Sequence, residues 1–187
     1  MKISKETLSI LKSFTTINPS IYVNPGHQLR TISTQKTVVA VAEVKDEFET
    51  PFGIYDLNQF LSAISIFDNP EFEFSDKFVE VSGAGASIKY GFADGNMIMQ
   101  PPAKNLELPD TIVSFDLPES ILKKTMQAAN VLSLPNWTVK GENDEIAIVV
   151  ADSKNSSSNA FRHVVGETDQ EFELVFKVEN IKPIMAD

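Results

Sequence analysis

The sequence predicts an α+β fold of two similar modules, each with antiparallel strands and two helices. Three observations carry this. Residues 4–14, S-K-E-T-L-S-I-L-K-S-F, form an amphipathic helix at about 100° per residue: Ile3, Thr7, Ile10, Leu11 and Phe14 point one way, and Lys5, Ser9 and Lys12 the other. The same design recurs at residues 118–133. Ile121, Leu122, Thr125, Ala128, Ala129 and Leu132 make the inward face there, and Lys123, Lys124, Gln127 and Asn130 the outward one. Short β-rich segments bounded by turn residues follow each helix.

Taken in order, residues 1–3 are too short to assign alone, but could be a strand leading into the first helix. Ser4 is its N-cap, with Thr7 at the position where a capping box has Glu. Pro19 ends the helix by pushing Asn18 out of helical geometry. Residues 21–23 form a strand, and Asn24-Pro25-Gly26 a turn. Strands are expected at 29–33, 38–44 and 47–54, with turns at Gln35-Lys36 and Lys45-Asp46. The continuous run Val38-Val39-Ala40-Val41-Ala42 predicts a strand covered on both faces. Asp56 opens a second helix to Phe67, with Leu57, Phe60, Leu61, Ile64 and Phe67 on one face. Its other face, Asn58, Gln59, Ser62, Ala63 and Ser65, carries no charge. Such a face can lie close to a strong negative field, and it is equally an ordinary helix surface. Asn69-Pro70 breaks the helix, and strands follow at 71–74, 78–82 and 87–92.

Residues 94–110 have no sustained period and contain Gly95, Pro101, Pro102 and Pro109, so they read as a connector. The domains are therefore 1–93 and 111–187. Met97, Ile98, Met99, Leu106 and Leu108 make the connector apolar: it packs onto a sheet or borders a hydrophobic groove. The second module repeats the order. It has a strand at 111–117, the helix with Pro118 at its first position, and strands at 137–141, 145–151, 159–166 and 172–178. Residues 153–159 form a polar, serine-rich loop. A helix starts at Glu179, with Pro183 in its first turn or kinking it. The first module continues with three further strands after its second helix, and the second module does not.

The chain has 187 residues, 42% hydrophobic and 22% charged, enough for a packed core. Its net charge of −10 argues against a protein that coats nucleic acid over its whole surface, but leaves room for one that gathers its lysines on one face. Cysteine is absent, which removes disulfides, thiolate metal sites and cysteine nucleophiles, and fits a reducing cytoplasm. The start M-K-I-S-K-E has no apolar stretch of the signal-peptide kind. No run of 18 apolar residues predicts a membrane span.

No catalytic constellation stands out. His27 and His163 lack the spacing of a zinc helix and read as surface or turn residues. The run 82–87, S-G-A-G-A-S, lies between two strands, lacks the lysine of a phosphate loop, and reads as a hairpin turn. The many carboxylates offer no evident acid/base pair. Trp137 reads as core, and Tyr22, Tyr55 and Tyr90 form no stacking strip.

The opening M-K-I-S-K-E-T-L-S-I-L-K-S-F-T-T-I-N, with I-Y-D-L-N-Q-F-L at 54–61, resembles the sliding clamps of T-even-like tailed phages. The resemblance implies a DNA-clamp fold, with antiparallel sheets outside and two helices per domain inside. Three subunits would close a homotrimeric ring around double-stranded DNA. The ring would have no enzymatic activity, cofactor or metal. It would tether the replicative DNA polymerase, be opened by an ATP-driven clamp loader, and serve late-transcription factors, all in the cytoplasm of the infected bacterial host and away from any membrane. Lys2, Lys5, Lys12, Lys123 and Lys124 match the family's hole-lining positions, where contacts go to phosphates without sequence preference. Val44, Leu106 and Leu108 are expected in the wall of a pocket for partner peptides. Family members run some tens of residues longer. Strands 87–92 and 159–166 would join neighbouring subunits, and strand 38–44 would be left with an exposed apolar edge. Two other readings remain: a β-rich structural or interaction protein of a virion, and a small hydrolase with its carboxylates unpaired.

Overall fold

The structure is a computed structural model that describes residues 1–102, 110–155 and 157–182. The chain packs as two compact units, Met1–Asn105 and Leu106–Met185, a division that falls among the undescribed residues.

In the first unit, α1 (Lys5–Phe14) is followed by β1 (Ile21–Val23), β2 (Gly26–Ile32), β3 (Val39–Phe48), β4 (Phe52–Ile54) and α2 (Leu57–Ile64). Three more strands, β5 (Glu71–Phe74), β6 (Phe78–Gly83) and β7 (Ala86–Gly91), complete it as an antiparallel meander. β1 pairs with β4, and β2 with β3, all antiparallel. Thr7, Leu11 and Phe14 of α1 and Leu57, Phe60 and Ile64 of α2 are buried, as their 3- and 4-residue spacing requires. They close over Ile21, Val23, Leu29 and Ile54 of the strands and a cluster of phenylalanines. Ala84 and Gly85, at φ 50° and 81°, make the tight β6–β7 turn, as expected of residues 82–87.

The second unit has α3 (Glu119–Val131), β8 (Asn136–Glu142), β9 (Glu145–Ala151), β10 (Phe161–Glu167), β11 (Phe172–Lys177) and the short α4 (Val178–Ile181). Its strands form one antiparallel sheet in the order β10-β9-β8-β11. Trp137 lies in its core, 4% exposed, as expected. Each unit therefore runs helix, four strands, helix. In both, a proline carbonyl at the start of the first strand accepts the N–H that opens the second helix: Pro19 from Leu57 at 2.8 Å, and Pro135 from Val178 at 2.9 Å.

Several expectations are corrected. Lys45-Asp46 is no turn: β3 runs through it. Between the pairs Gly26–Phe48 and Gln28–Glu43, the single residue His27 of β2 stands opposite four residues of β3, 44–47, which form a bulge. Nor is the 38–42 run covered on both faces. Ala40 and Ala42 pack on the core, while Val41 is 50% exposed beside Glu43 and Lys45, whose charges keep that face in water. α2 ends at Ile64, short of Phe67. Residues 111–117 are not a strand. Val113, Phe115 and Leu117 alternate onto the core, but no ladder forms. Residues 1–3 are not a strand either, although Met1 is tied to Phe72. Met1 donates its ammonium to the Phe72 carbonyl at 2.6 Å and accepts the Phe72 N–H at 2.8 Å. In α3 the buried face includes Met126, 1% exposed, whereas Leu132 is 36% exposed because the helix stops before it.

Candidate nucleic-acid interface

α1 is set by its first turn. The Ser4 hydroxyl accepts the Thr7 N–H at 3.2 Å, satisfying one orphan donor of the helix start. Asp46, from the bulge of β3, accepts both the Ser4 N–H at 2.9 Å and the Ser4 hydroxyl at 2.8 Å. Burial pushes the Asp46 carboxyl up, but the hydrogen bonds from Thr7 and Ser4 together outweigh it and hold the group below the usual aspartate range. The neighbouring Lys45 ammonium donates to Glu6 at 2.8 Å, and that hydrogen bond and charge raise the lysine.

The Lys45–Glu6 pair is an exposed contact between β3 and the first turn of α1. Glu6 is the one carboxylate on α1, and β3 supplies its counter-charge. Lys5 and Lys12 are exposed and have no ion pair among the described residues. Lys12 also sits in the last turn, where a cation complements the helix dipole. Lys2 lies before the N-terminus of α1 and is turned toward Glu71, at 3.8 Å. α2 beside it presents Asn58, Gln59, Ser62 and Ser65, uncharged as expected. The Ser62 and Ser65 hydroxyls donate back to the carbonyls of Asn58 and Ser62 at 2.8 and 2.7 Å.

In the second unit the two lysines are not equivalent. Lys123 pairs with Glu119 one turn earlier at 2.5 Å, whereas Lys124 is exposed with no ion pair among the described residues. The pairing was legible as an i, i+4 spacing. Sequence reasoning also passed over Lys154, Lys177 and Lys182, which border a cleft of about 720 Å³ at the C-terminal end of α3, with Lys177 paired to Glu179. The expected peptide pocket is not assembled from its three residues. Val44 is 7% exposed in the core of the first unit, held there by the alternation of β3, and Leu106 and Leu108 lie outside the described residues. Among the described residues no group of carboxylates and histidines could hold a metal ion.

An uncharged helix beside one with two exposed lysines, on a chain of net charge −10, is an arrangement compatible with a polyanion on that face. Residues 4–83, which hold all of both helices, match the family model described as DNA polymerase processivity factor. Over 195 aligned residues the chain is 32% identical to the sliding clamp of Vibrio phage KVP40, covering 100% of this chain and 88% of that one. The chain belongs to the sliding-clamp family. Further clamps from phages RB69 and T4 are 27% and 29% identical, over 79% and 82% of this chain and 65% and 64% of theirs. Solved clamps share the fold. Proliferating cellular nuclear antigen from Entamoeba histolytica superposes with a TM-score of 0.64 at 12% identity, over 96% of this chain and 80% of that one. The A. fulgidus antigen, solved with the C-terminal region of FEN-1 bound, gives 0.67 at 15%, over 95% and 78%. The bacterial clamp from Bartonella birtlesii gives 0.64 at 14%, over 99% and 54%. The lysines of α1 fall within the stretch matched by the family model, and those of α3 fall outside it.

Proposed function

We propose that this clamp closes as a ring of three copies around duplex DNA and acts without catalysis. It tethers the replicative polymerase to its template, after opening by a clamp loader, in the cytoplasm of an infected bacterium. Service as a platform for late-transcription factors belongs to the same reading. Domains 1–93 and 111–187, joined by 94–110, each bring one basic helix to the DNA. Lys5, Lys12 and Lys124 contact phosphates, and Lys2 and Lys123 contribute less because Glu71 and Glu119 already pair with them.

The observation that carries this is the pair of exposed lysines on α1, Lys5 and Lys12, which have no ion pair among the described residues and stand on a chain of net charge −10. Exposed lysines suit sliding, because each phosphate contact is weak and carries no sequence information. Topological closure then supplies retention that local affinity does not.

The test is loading onto circular and linear duplexes, with mass from size exclusion and light scattering across a dilution series. A trimer retained on circles and lost from linear ends supports the reading. A trimer with no dependence on DNA topology favours the structural protein of a virion. Charge reversal at Lys5 and Lys12 that leaves retention unchanged removes those residues from the interface.

A further inference from the structure

On the reading that α1 faces the duplex, we infer that Asp46 of β3 is a positioning residue for the phosphate contact of Lys5. One oxygen of the Asp46 carboxylate accepts both the Ser4 N–H at 2.9 Å and the Ser4 hydroxyl at 2.8 Å. The fully buried Thr7 hydroxyl bonds to the same carboxylate. Ser4 is the N-cap of α1 and Thr7 lies in its first turn. Lys5 therefore stands between two positions held by one group from a strand about forty residues further along the chain. Next to Asp46, Lys45 reaches Glu6 at 2.8 Å, an exposed pair that reinforces the same junction weakly.

A helix start frays when its first N–H groups lack partners. Lys5 is exposed, and its Cα is one peptide from that of Ser4, about 3.8 Å away. With Ser4 pinned to β3, the main chain beneath Lys5 is ordered before DNA arrives. Without that anchor, a phosphate contact from Lys5 must also order the turn, and binding weakens accordingly. Lys12 lies further along the helix, about 10 Å along its axis, beyond the reach of this effect. Charge alone predicts the opposite sign. Asp46 is an anion beside the face that meets DNA, so its removal should strengthen binding if position does not matter.

The test is binding of the full chain to a short fluorescent duplex at low salt, at a temperature where circular dichroism shows every variant folded. Asp46→Ala should bind about three-fold more weakly than the parent, toward the low end of couplings within one hydrogen-bond network. Ser4→Ala, which leaves the charge in place, should do the same, and the two together should lose no more than either alone. In a Lys5→Ala background the D46A loss should disappear, and in a Lys12→Ala background it should persist in full. A general weakening of the fold gives equal losses in both backgrounds, and that result overturns the inference. Tighter binding by D46A also overturns it, since only the charge then counts. If D46A does not fold, Ser4→Ala in the same two backgrounds decides. If neither Lys5→Ala nor Lys12→Ala weakens binding, the placement of α1 on DNA fails and the role of Asp46 with it. If both weaken binding and the D46A loss is indifferent to which lysine remains, only the role of Asp46 fails.

Discussion

The indole N–H of Trp137 donates to the Thr125 hydroxyl at 3.0 Å, and that hydroxyl donates in turn to the Leu122 carbonyl at 2.9 Å. Thr125 is fully buried and Trp137 nearly so, so this chain ties α3 to β8 inside the core of the second unit. Thr125→Val keeps the shape and orphans the indole donor, at a cost of about 1–3 kcal/mol. Trp137 is the only tryptophan, so urea unfolding followed by its fluorescence reads this unit alone. The expected outcome is a lower midpoint for T125V and a largely restored one for T125S. An unchanged midpoint in T125V means the bond contributes nothing.

Asp46 holds the start of α1 from across the unit. Its folded-state pKa is depressed, so its stabilisation is present above the unfolded aspartate value of about 3.9 and is lost as pH falls through the folded value. Asp46→Asn should cost on the order of 1 kcal/mol at pH 7, the scale of a helix cap. The gap between D46N and the parent should close as pH drops below about 4. Denaturation series at neutral and acidic pH check this, and a gap that widens on acidification contradicts the assignment.

Glu119 neutralises Lys123 and not Lys124. Lys124→Glu should therefore weaken DNA binding more than Lys123→Glu. Glu119→Gln should strengthen it and steepen the salt dependence by up to about 0.9 in the log-log slope, the increment of one added phosphate contact. Binding measured over a range of salt concentrations decides this, and equal losses for both lysines show that the ion pair does not matter.

Gly53 sits where a side chain cannot fit. A Cβ there would lie 2.6 Å from the Ala93 carbonyl oxygen and 2.7 Å from the Ile98 side chain. Gly53→Ala should cost about 1–3 kcal/mol through overpacking and loosen the segment that begins at Ala93. Gly91→Ala, with nothing within 4 Å, should stay within about 0.5 kcal/mol of the parent. Thermal unfolding compares the two, and equal melting points refute the packing argument.

What the sequence disclosed was what is decided locally. The amphipathic period of α1, the Ser4 cap, the Asp56 cap of α2 and the tight β6–β7 turn each depend on residues within a few positions of one another. Lys45-Asp46 misled because its two charged residues do not serve a turn. Their partners, Glu6 and Ser4, lie 39 and 42 residues away, and only folding brings them together. Residues 111–117 misled for the opposite reason. Their alternation was real and is used for packing, but a strand also needs a neighbour, and no periodicity announces one. The lysine face was visible from spacing. Which lysines were already paired was not, because Lys2 and Glu71 meet only through the tertiary fold. Lys123 and Glu119 were the exception, readable at four residues and missed by attending to cations alone.

The Pro19–Leu57 and Pro135–Val178 hydrogen bonds join main chain to main chain. No side chain has to be kept for either corner to hold, beyond the exclusion of proline at 57 and 178. The residues beside them differ: Asp56 stands before one helix and accepts the Gln59 N–H, while Lys177 stands before the other with no side-chain cap, opposite charges at the same corner of the repeat. A module anchored in this way can change the sign of its surface by substitution without rebuilding its frame, so the two halves of one chain are free to specialise separately.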